Sequence, residues 1–535
     1  MGKDKEYSDI QPDQEIWSRV FSDDFCAGPL SPLFFSYAQG IFGKDKVKYH
    51  QGFLYTSLDL FDSLIRIRHF PTKLRKYLLL SYYPDNLHQQ ILKQPYRPIQ
   101  HRFFNLLIGL IKPIIIRGRI IKSYTNFEKN YTEYLRYFDQ RIQNNNTFED
   151  LLKLDKDLDK KFKPHWTLSF AGGYHCIYAV SQLQYHLDQT YHDTSMISTL
   201  LSGISSRTYQ VNQEIQQLAL FLKNDPCFQK SFQGENTPKV SLNTTSKEFS
   251  KVFNEFLDKH GHRGYYRDVM YQTWQENPDI LLKTIIALAI KEINKTSKSE
   301  DIDFEDAVHK IEKMPKKTHR KIIPWITLSR IFIKFREDER YFLDLHLSRK
   351  RKLYLKIAEK LHQKKLLENE DDLFFLDIPT VISLINGTCI SVSEKVKQTK
   401  NEFATYQYQL PPKFLYTNKI KSDVSSIKTE LYGIPASRGI ITGNARVVLS
   451  LDDMDKIQSN DILVTRFTDP GWTSCFHLIS GLVTEVGSSL SHGAIIAREY
   501  GIPAVTGVKD ILKFISNGDH ITVNGNTGIV TFTKK

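Results

Sequence analysis

The sequence is poor in cysteine and contains no cysteine motif. No two of its cysteines stand in a C-x-x-C pair, and the five are far apart, at Cys26, Cys176, Cys227, Cys389 and Cys475. Disulfide frameworks and thiolate zinc sites need regular spacing, so we expect neither. The opening residues MGKDKEYSDI also lack the apolar segment of a secretory signal. We therefore expect a reduced protein of the cytoplasm.

A long hydrophobic run is also missing. The most apolar stretch, residues 103–116, is interrupted by Lys112 and Pro113, and it is shorter than the roughly 18 residues that a membrane-spanning helix needs. A buried helix is the default interpretation. Because basic residues recur throughout residues 103–122, peripheral contact of this stretch with an anionic membrane surface is the alternative.

Positive charge is unevenly distributed. The chain carries a net charge of +13, whereas residues 431–535 contain nine basic and nine acidic residues, so the excess lies upstream. A basic upstream domain would attract phosphorylated ligands, acidic proteins, membranes or nucleic acid, and charge alone does not choose among them. The basic run at 347–356 lies on a periodic helical segment, which is typical of a solvated face, so we expect no nucleic-acid partner.

The length predicts more than one domain. Residues 1–400 have the three- and four-residue apolar spacing of helices, clearest at 336–367. Residues 401–430 are polar, contain Pro411 and Pro412, and are predicted to form a linker or hinge. Short β-rich runs then follow at 445–449, 461–465, 482–486, 504–508 and 520–532, with one helix from His492. The predicted fold class is multidomain, with a large helical body followed by a small α/β domain.

One histidine stands where a loop enters that helix. In the run GSSLSHGAIIAREYGIPA, His492 is placed in the first helical turn, where free backbone N–H groups and the helix dipole stabilise an anion and keep the imidazole neutral. Gly493 leaves space beside the ring, and the Ser491 hydroxyl could orient a ring nitrogen or a phosphate oxygen. Arg498 is placed to pair with a phosphoryl group, with Glu485 or with Glu499. The alternative is that His492 is an ordinary polar residue at the start of a helix and has no catalytic role.

Residues 433–507 resemble the mobile, swivelling domain of the phosphoenolpyruvate-utilising enzymes, which include phosphoenolpyruvate synthase, pyruvate phosphate dikinase and rifampicin phosphotransferase. The matching segments are GIPASRGIITGNARVV, DILVTRFTDPGWT and GLVTEVGSSLSHGAIIAREYGIPAVTGV, and the likeness continues through GDHITVNGNTGIV. In that family the histidine of the signature is phosphorylated, which implies that His492 is a catalytic phosphohistidine supported by Ser491, Gly493 and Arg498.

A weaker resemblance to rifampicin phosphotransferase-like proteins extends upstream. It is carried by Trp17, by GPLSPLFFS, by FLDKHGHRG with Trp274, and by REDERYF. It implies that the helical body binds a small-molecule acceptor, with His262, Arg263 and Arg336 as candidate contacts. The relatives also carry an ATP-grasp domain, for which we find no room before Trp17, and no Walker-type loop is present. The resemblance therefore implies that ATP and Mg are supplied through a separate ATP-grasp protein.

No metal site is expected in the chain itself. His165, His175 and Cys176 lie together in an aromatic stretch, but their spacing fits no zinc pattern, so packing or pocket lining is favoured. The leading hypothesis is a phosphotransferase component. The alternatives are an ATP-dependent condensing, ligase-like component that uses the same phosphohistidine, a non-catalytic phosphocarrier or regulatory protein, and a peripheral membrane scaffold.

Overall fold

The computed structural model describes most of the chain. The described residues are 16–23, 26, 28–58, 60, 71–77, 83, 87–93, 112–144, 146–191, 196–231, 245–264, 266–290, 298–389, 391–406, 411–416, 430–449, 451–458, 460–468, 472, 475–476, 478–489 and 491–533.

Helices dominate the part before residue 407. They are α1 (Val20–Asp23), α2 (Pro32–Phe42), α3 (Thr72–Arg75), α4 (His88–Lys93), α5 (Lys112–Arg141), α6 (Phe148–Tyr191), α7 (Met196–Leu200), α8 (Arg207–Lys223), α9 (Pro226–Ser231), α10 (Lys247–His260), α11 (Pro278–Ile290), α12 (Lys298–Glu312), α13 (Lys316–Gln363), α14 (Ile378–Ile385) and α15 (Ser393–Tyr406). A 3₁₀ helix at Glu370–Phe375 follows α13. The helical body predicted from the apolar spacing is confirmed.

The two longest helices, α6 and α13, pack against each other and are joined by buried ion pairs. Lys350 of α13 is 1% exposed, and its Nζ lies 2.6 Å from Asp155 Oδ1 and 3.0 Å from Asp159 Oδ2 on α6. A buried ammonium without a partner would cost several kcal/mol, roughly 3 to 5 by the usual measure. These ion pairs therefore fix the position of α13 against α6. Most residues of the candidate site lie on α13.

A small antiparallel sheet joins three strands from the first 60 residues to one strand that follows α15. It contains β1 (Ile16–Ser18), β2 (Val47–His50), β3 (Phe53–Ser57) and β4 (Phe414–Tyr416), in the order β2-β3-β1-β4. Trp17 of β1 is paired with Ser57 on one side and with Leu415 on the other. Within the predicted linker at 401–430, α15 thus runs to Tyr406 and β4 is anchored in this sheet. A hinge there stays a prediction, for residues 417–429 in particular, which lie outside the described residues.

The C-terminal part forms an eight-stranded mixed sheet. Its strands are β5 (Glu430–Tyr432), β6 (Ile434–Ser437), β7 (Ile440–Val447), β8 (Ile462–Thr465), β9 (Gly481–Thr484), β10 (Ala504–Thr506), β11 (His520–Asn524) and β12 (Ile529–Thr533), in the order β5-β12-β11-β7-β8-β9-β10-β6. The central strands β7 to β10 run parallel. Two helices, α16 (His492–Glu499) and α17 (Ile511–Phe514), and a 3₁₀ helix at Leu451–Lys456 complete this α/β domain.

The C-terminal domain packs against the helical body. One apolar cluster contains Phe253 and Trp274 of the body together with Trp472 and Ala494 of the α/β domain. A polar contact accompanies it, because the backbone N–H of Ile204 donates to Glu499 Oε1 over 3.1 Å. The first turn of α16 consequently faces the body rather than solvent.

In the part of the chain that the structure describes, no helix combines the length and the apolar character needed to cross a membrane. Of the stretch at 103–122 that was considered for peripheral membrane contact, residues 103–111 lie outside the described residues, and α5 begins at Lys112.

Candidate functional site

His492 is the first residue of α16, where the sequence predicted it. Ser491, at the N-cap position, has extended backbone angles (φ −63°, ψ 156°), so the chain enters the helix directly from the preceding loop. The imidazole is only 3% exposed because α16 is docked against the body. Burial lowers the pKa of His492 below 6.5, and the neighbouring Glu337 opposes that shift. The ring is therefore neutral at pH 7.

The loop before His492 is held by hydrogen bonds to backbone carbonyls. The Ser491 hydroxyl donates to Ser488 O over 2.9 Å. Arg498, which is buried, donates through Nη1 to Ala436 O and through Nη2 to Ser489 O, both over 2.8 Å. The sequence left a phosphoryl group, Glu485 and Glu499 open as partners of Arg498. The structure adds a role that the sequence did not suggest, because the guanidinium connects the histidine loop to β6, and Glu499 also acts on the pKa of Arg498.

Gly493 allows close packing of α16 against Thr468 and Leu482, and the space that it was expected to leave beside the ring stays a prediction. A Cβ at this position would stand 2.3 Å from Thr468 Oγ1 and 3.3 Å from Leu482 Cδ2. We expect Gly493→Ala to lower the free energy of unfolding by about 1 to 3 kcal/mol through overpacking and to displace the start of α16. Gly173→Ala is the matched control, since nothing lies within 4 Å of its Cβ and alanine favours a helix interior. Urea unfolding of both variants measures the difference, and equal stability would contradict this account.

The residue that faces His492 is a buried carboxylate of α13. Glu337 is 1% exposed, and its Oε2 lies 3.6 Å from His492 Nδ1. Although burial acts to raise the pKa of Glu337, the histidine and Arg340 outweigh it and lower that pKa to about 2. Glu337 is therefore ionised at neutral pH. Such a carboxylate favours a proton on Nδ1, which leaves Nε2 as the ring nitrogen with the free electron pair.

Arginines surround this pair. Arg340 Nη1 lies 3.8 Å from Glu337 Oε1, and Arg340 and Arg267 both act on the pKa of His492. Arg336, half-buried, acts on the pKa of Glu337. Positions 336, 337, 340 and 344 share one face of α13, because residues three and four apart are neighbours on a helix. This face of α13 thus carries two carboxylates, Glu337 and Asp344, and two arginines, whose guanidinium groups are suited to a phosphoryl group.

The three candidate acceptor contacts from the sequence have different surroundings. Arg336 is beside Glu337. Arg263 is buried and pairs with Asp344 at 3.7 Å, and Asp344 also binds Arg267 Nε at 2.7 Å. The His262 ring instead contacts Tyr341, with 4.6 Å between ring centroids, and burial lowers its pKa well below 6.5. The roles of all three residues stay predictions.

The sequence interpretation missed Glu337, Arg340 and Arg267 as parts of the site. The sequence feature that could have indicated the site is the segment REDERYF. Its charged residues include positions that the apolar spacing of α13 places on the buried side of the helix. His165 and Cys176, assigned to packing, are fully buried; His165 Nε2 lies 3.0 Å from Glu339 Oε2. Among the described residues, no group of three or more His, Cys, Asp or Glu side chains is arranged to hold a metal ion.

Two regions of the chain that contain residues of the site match known protein domains. Residues 457–528 match the mobile domain of PEP-utilising enzymes, and residues 169–337 match the fourth domain of rifampicin phosphotransferase. A rifampicin phosphotransferase of Bacillus cereus is 33% identical over 52% of this chain and 34% of its own length. An uncharacterised phosphotransferase of Bacillus subtilis, YvkC, is 26% identical over 77% of this chain and 52% of its own length.

A further relative is the prodigiosin-synthesising transferase PigC of Serratia marcescens, 27% identical over 61% of this chain and 38% of its own length. The chain thus spans between about a third and a half of the length of these relatives. His492 falls inside the first matched region, and Arg336 and Glu337 fall at the end of the second. The chain thus contains a region similar to the mobile domain of PEP-utilising enzymes and, upstream of it, a region similar to the fourth domain of rifampicin phosphotransferase.

Proposed function

We propose that this protein is a phosphotransferase component in which His492 receives a phosphoryl group and passes it to a small-molecule acceptor at the face of α13. The single observation that carries the proposal is the contact between His492 Nδ1 and the buried, ionised Glu337, 3.6 Å apart and flanked by arginines. A histidine in ordinary packing does not need a buried carboxylate and a cationic surround, both of which are costly to desolvate.

The pair supports discharge of a phosphohistidine. In the charging step, which takes place away from Glu337, the Nε2 electron pair attacks phosphorus, a P–N bond forms, and the P–O bond to the donor breaks. In the discharge step an acceptor hydroxyl oxygen attacks phosphorus, the P–N bond breaks, its electron pair returns to Nε2, and the hydroxyl proton passes to a phosphoryl oxygen and then to solvent. The Nδ1 proton, held by the Glu337 carboxylate, keeps neutral imidazole as the leaving group. Arg336, Arg340 and Arg267 are placed to neutralise the phosphoryl oxygens.

Glu337 acts in this scheme as a positioning residue. A general base works best when its pKa lies near the working pH, whereas the pKa of Glu337 is about 2. Its carboxylate is thus better suited to hold the imidazole than to take a proton from an acceptor hydroxyl.

Charging of His492 requires movement of the C-terminal domain. In the docked arrangement the ring is 3% exposed and faces the body, so the domain must move before either a nucleotide reaches the ring or an acceptor enters at α13. We propose that the domain undocks, that His492 is phosphorylated at an ATP-grasp site, for which a separate protein is our candidate, and that redocking excludes water from the phosphohistidine. ATP and Mg belong to that donor site, and no step at α13 depends on them.

Two outcomes for the acceptor are open to experiment. Similarity to rifampicin phosphotransferases favours a phosphorylated small molecule as the product. Similarity to a prodigiosin-synthesising transferase favours, as the second candidate, an ATP-driven condensation in which phosphate only activates the substrate.

The test is a labelling experiment on the full chain. The purified protein is incubated with candidate ATP-grasp proteins and with ATP labelled at the β or γ phosphate, and the labelled peptide is mapped by mass spectrometry. We expect a label that is stable to base, labile to acid and located on His492. A panel of acceptors that begins with rifampicin is then added, and the label should move to a small molecule. Acid-stable label, or label on another residue, contradicts the proposal. Label that stays on His492 with every acceptor would favour a phosphocarrier.

A further inference from the structure

A short segment of the body, residues 199–204, is bound by the α/β domain at both of its ends. We call it the docking segment; it ends α7 and leads towards α8. At one end Arg438 Nη1 donates to the Thr199 hydroxyl. At the other end the backbone N–H of Ile204 donates to Glu499 Oε1 over 3.1 Å. Thr199, Ile204 and Glu499 are all buried, so both contacts belong to the interface between the domains.

The shape of the docking segment is held by Arg330 of α13. Its guanidinium donates to Leu200 O over 3.0 Å, to Ser202 O, and to Gly203 O over 2.9 Å. Gly203 has a φ of 62°, a backbone conformation that glycine adopts without strain. Because Gly203 directly precedes Ile204, the contact with Arg330 also fixes the direction of the Ile204 N–H.

The body thereby holds α16 at both ends. At the first residue of α16, His492 Nδ1 lies 3.6 Å from Glu337 Oε2; at the last residue, Glu499 accepts from Ile204. His492 and Glu499 are seven residues apart on α16, as Arg330 and Glu337 are on α13, which is two turns or about 10 Å in each helix. The two contacts therefore have the same spacing on both helices, and displacement of one end of α16 displaces the other.

We propose that Glu499 and Arg438, through the docking segment, position His492 against Glu337 and set how often the α/β domain leaves the body. Both are positioning residues, since neither contacts the ring of His492, and Arg330 acts through the segment that they bind. The inference rests on the domain movement of the proposed function, but its test needs no phosphoryl donor and no acceptor.

The test measures how often His492 becomes accessible in the full chain. Diethyl pyrocarbonate modifies neutral imidazole, and peptide mass spectrometry gives the rate at His492 and, in the same sample, at His520, which is exposed on β11. We expect Glu499→Ala and Arg438→Met each to raise the rate at His492 roughly fivefold, because one hydrogen bond across the interface is lost. The rate at His520 should not change.

Glu499→Gln is the conservative variant, and it should restore a rate at His492 near that of the wild type. Burial raises the pKa of Glu499 to about 7, so a neutral side chain is tolerated there, and the amide oxygen of glutamine can accept from Ile204. Arg446→Met is the matched control for Arg438→Met. Arg446 pairs with Asp461 within the α/β domain at 2.7 Å, so its replacement should leave the rate at His492 unchanged.

Two results would overturn the proposal: an unchanged rate at His492 in both Glu499→Ala and Arg438→Met, or a Glu499→Gln variant as reactive as Glu499→Ala. Circular dichroism monitors folding of each variant. If Glu499→Ala fails to fold, Thr199→Val decides the matter, because it removes the hydroxyl that Arg438 binds and should act as Arg438→Met does. A raised rate in these variants, without phosphorylation of His492 by any donor, would contradict the proposed phosphotransfer and support the positioning role.

Discussion

Replacing His492 by alanine should abolish acid-labile phosphorylation of the chain, because the attacking Nε2 is removed and no other group replaces it. We expect label incorporation to fall to the background of the assay. The matched control is His520→Ala in the same domain, since His520 is exposed on β11 and its Nδ1 lies 3.4 Å from Asn444 Oδ1. That variant should be labelled as the wild type is.

A second variant, His492→Asn, distinguishes loss of the nucleophilic nitrogen from loss of docking between the α/β domain and the body. The amide nitrogen of asparagine occupies the position of Nδ1, so His492→Asn can still donate to Glu337 while it lacks a nucleophilic nitrogen. We expect His492→Asn to remain unlabelled and to keep a melting temperature closer to the wild type than His492→Ala does. Substantial acid-labile label on either variant would show that another residue carries the phosphoryl group.

Local features of the site could be predicted from the sequence because they depend on neighbouring residues. The loop that enters α16 and the short strands β7 to β12 are encoded within a few residues of where they lie. The turn Asn524-Gly525, for example, lies between β11 and β12, where a hairpin needs it. The same reasoning placed His492 at the start of its helix.

The rest of the site depends on contacts between residues that are distant in the chain. Glu337 is brought to His492 only when the α/β domain docks on α13, and no periodicity in either segment contains that information. The carbonyl partners of Arg498 on β6 are likewise fixed by tertiary packing. The N-terminal sheet was missed because β1 has three residues, all buried, and so lacks the alternation by which strands are detected.

Replacing Glu337 by glutamine should leave the charging of His492 intact and slow its discharge. In the proposed cycle charging takes place when the domain is undocked and the histidine is away from α13, so the amount of label should stay within about twofold of the wild type. In the docked arrangement glutamine has no charge with which to hold the Nδ1 proton. Loss of a carboxylate that orients a catalytic imidazole costs about 10²- to 10⁴-fold in other enzymes, and we expect discharge to slow by this order.

The pH dependence of discharge distinguishes this positioning role from a structural defect. Ionised Glu337 raises the pKa of Nδ1 in the phosphorylated ring, so wild-type discharge should stay constant as the pH rises through neutrality. In Glu337→Gln the Nδ1 proton is lost at lower pH, and discharge should therefore fall as the pH rises and recover as it is lowered. A variant that was merely misfolded would show no such recovery.

Asp338→Asn is the matched control for Glu337→Gln, because Asp338 is the next residue of α13 but turns away from His492 and pairs with Lys334. Its rate of discharge and its pH profile should follow the wild type. The rate is measured as loss of label from His492 after a chase with unlabelled ATP and an active acceptor. If Glu337→Gln discharges as fast as the wild type at every pH, the carboxylate does not control the ring proton, and another group must supply it to the leaving imidazole.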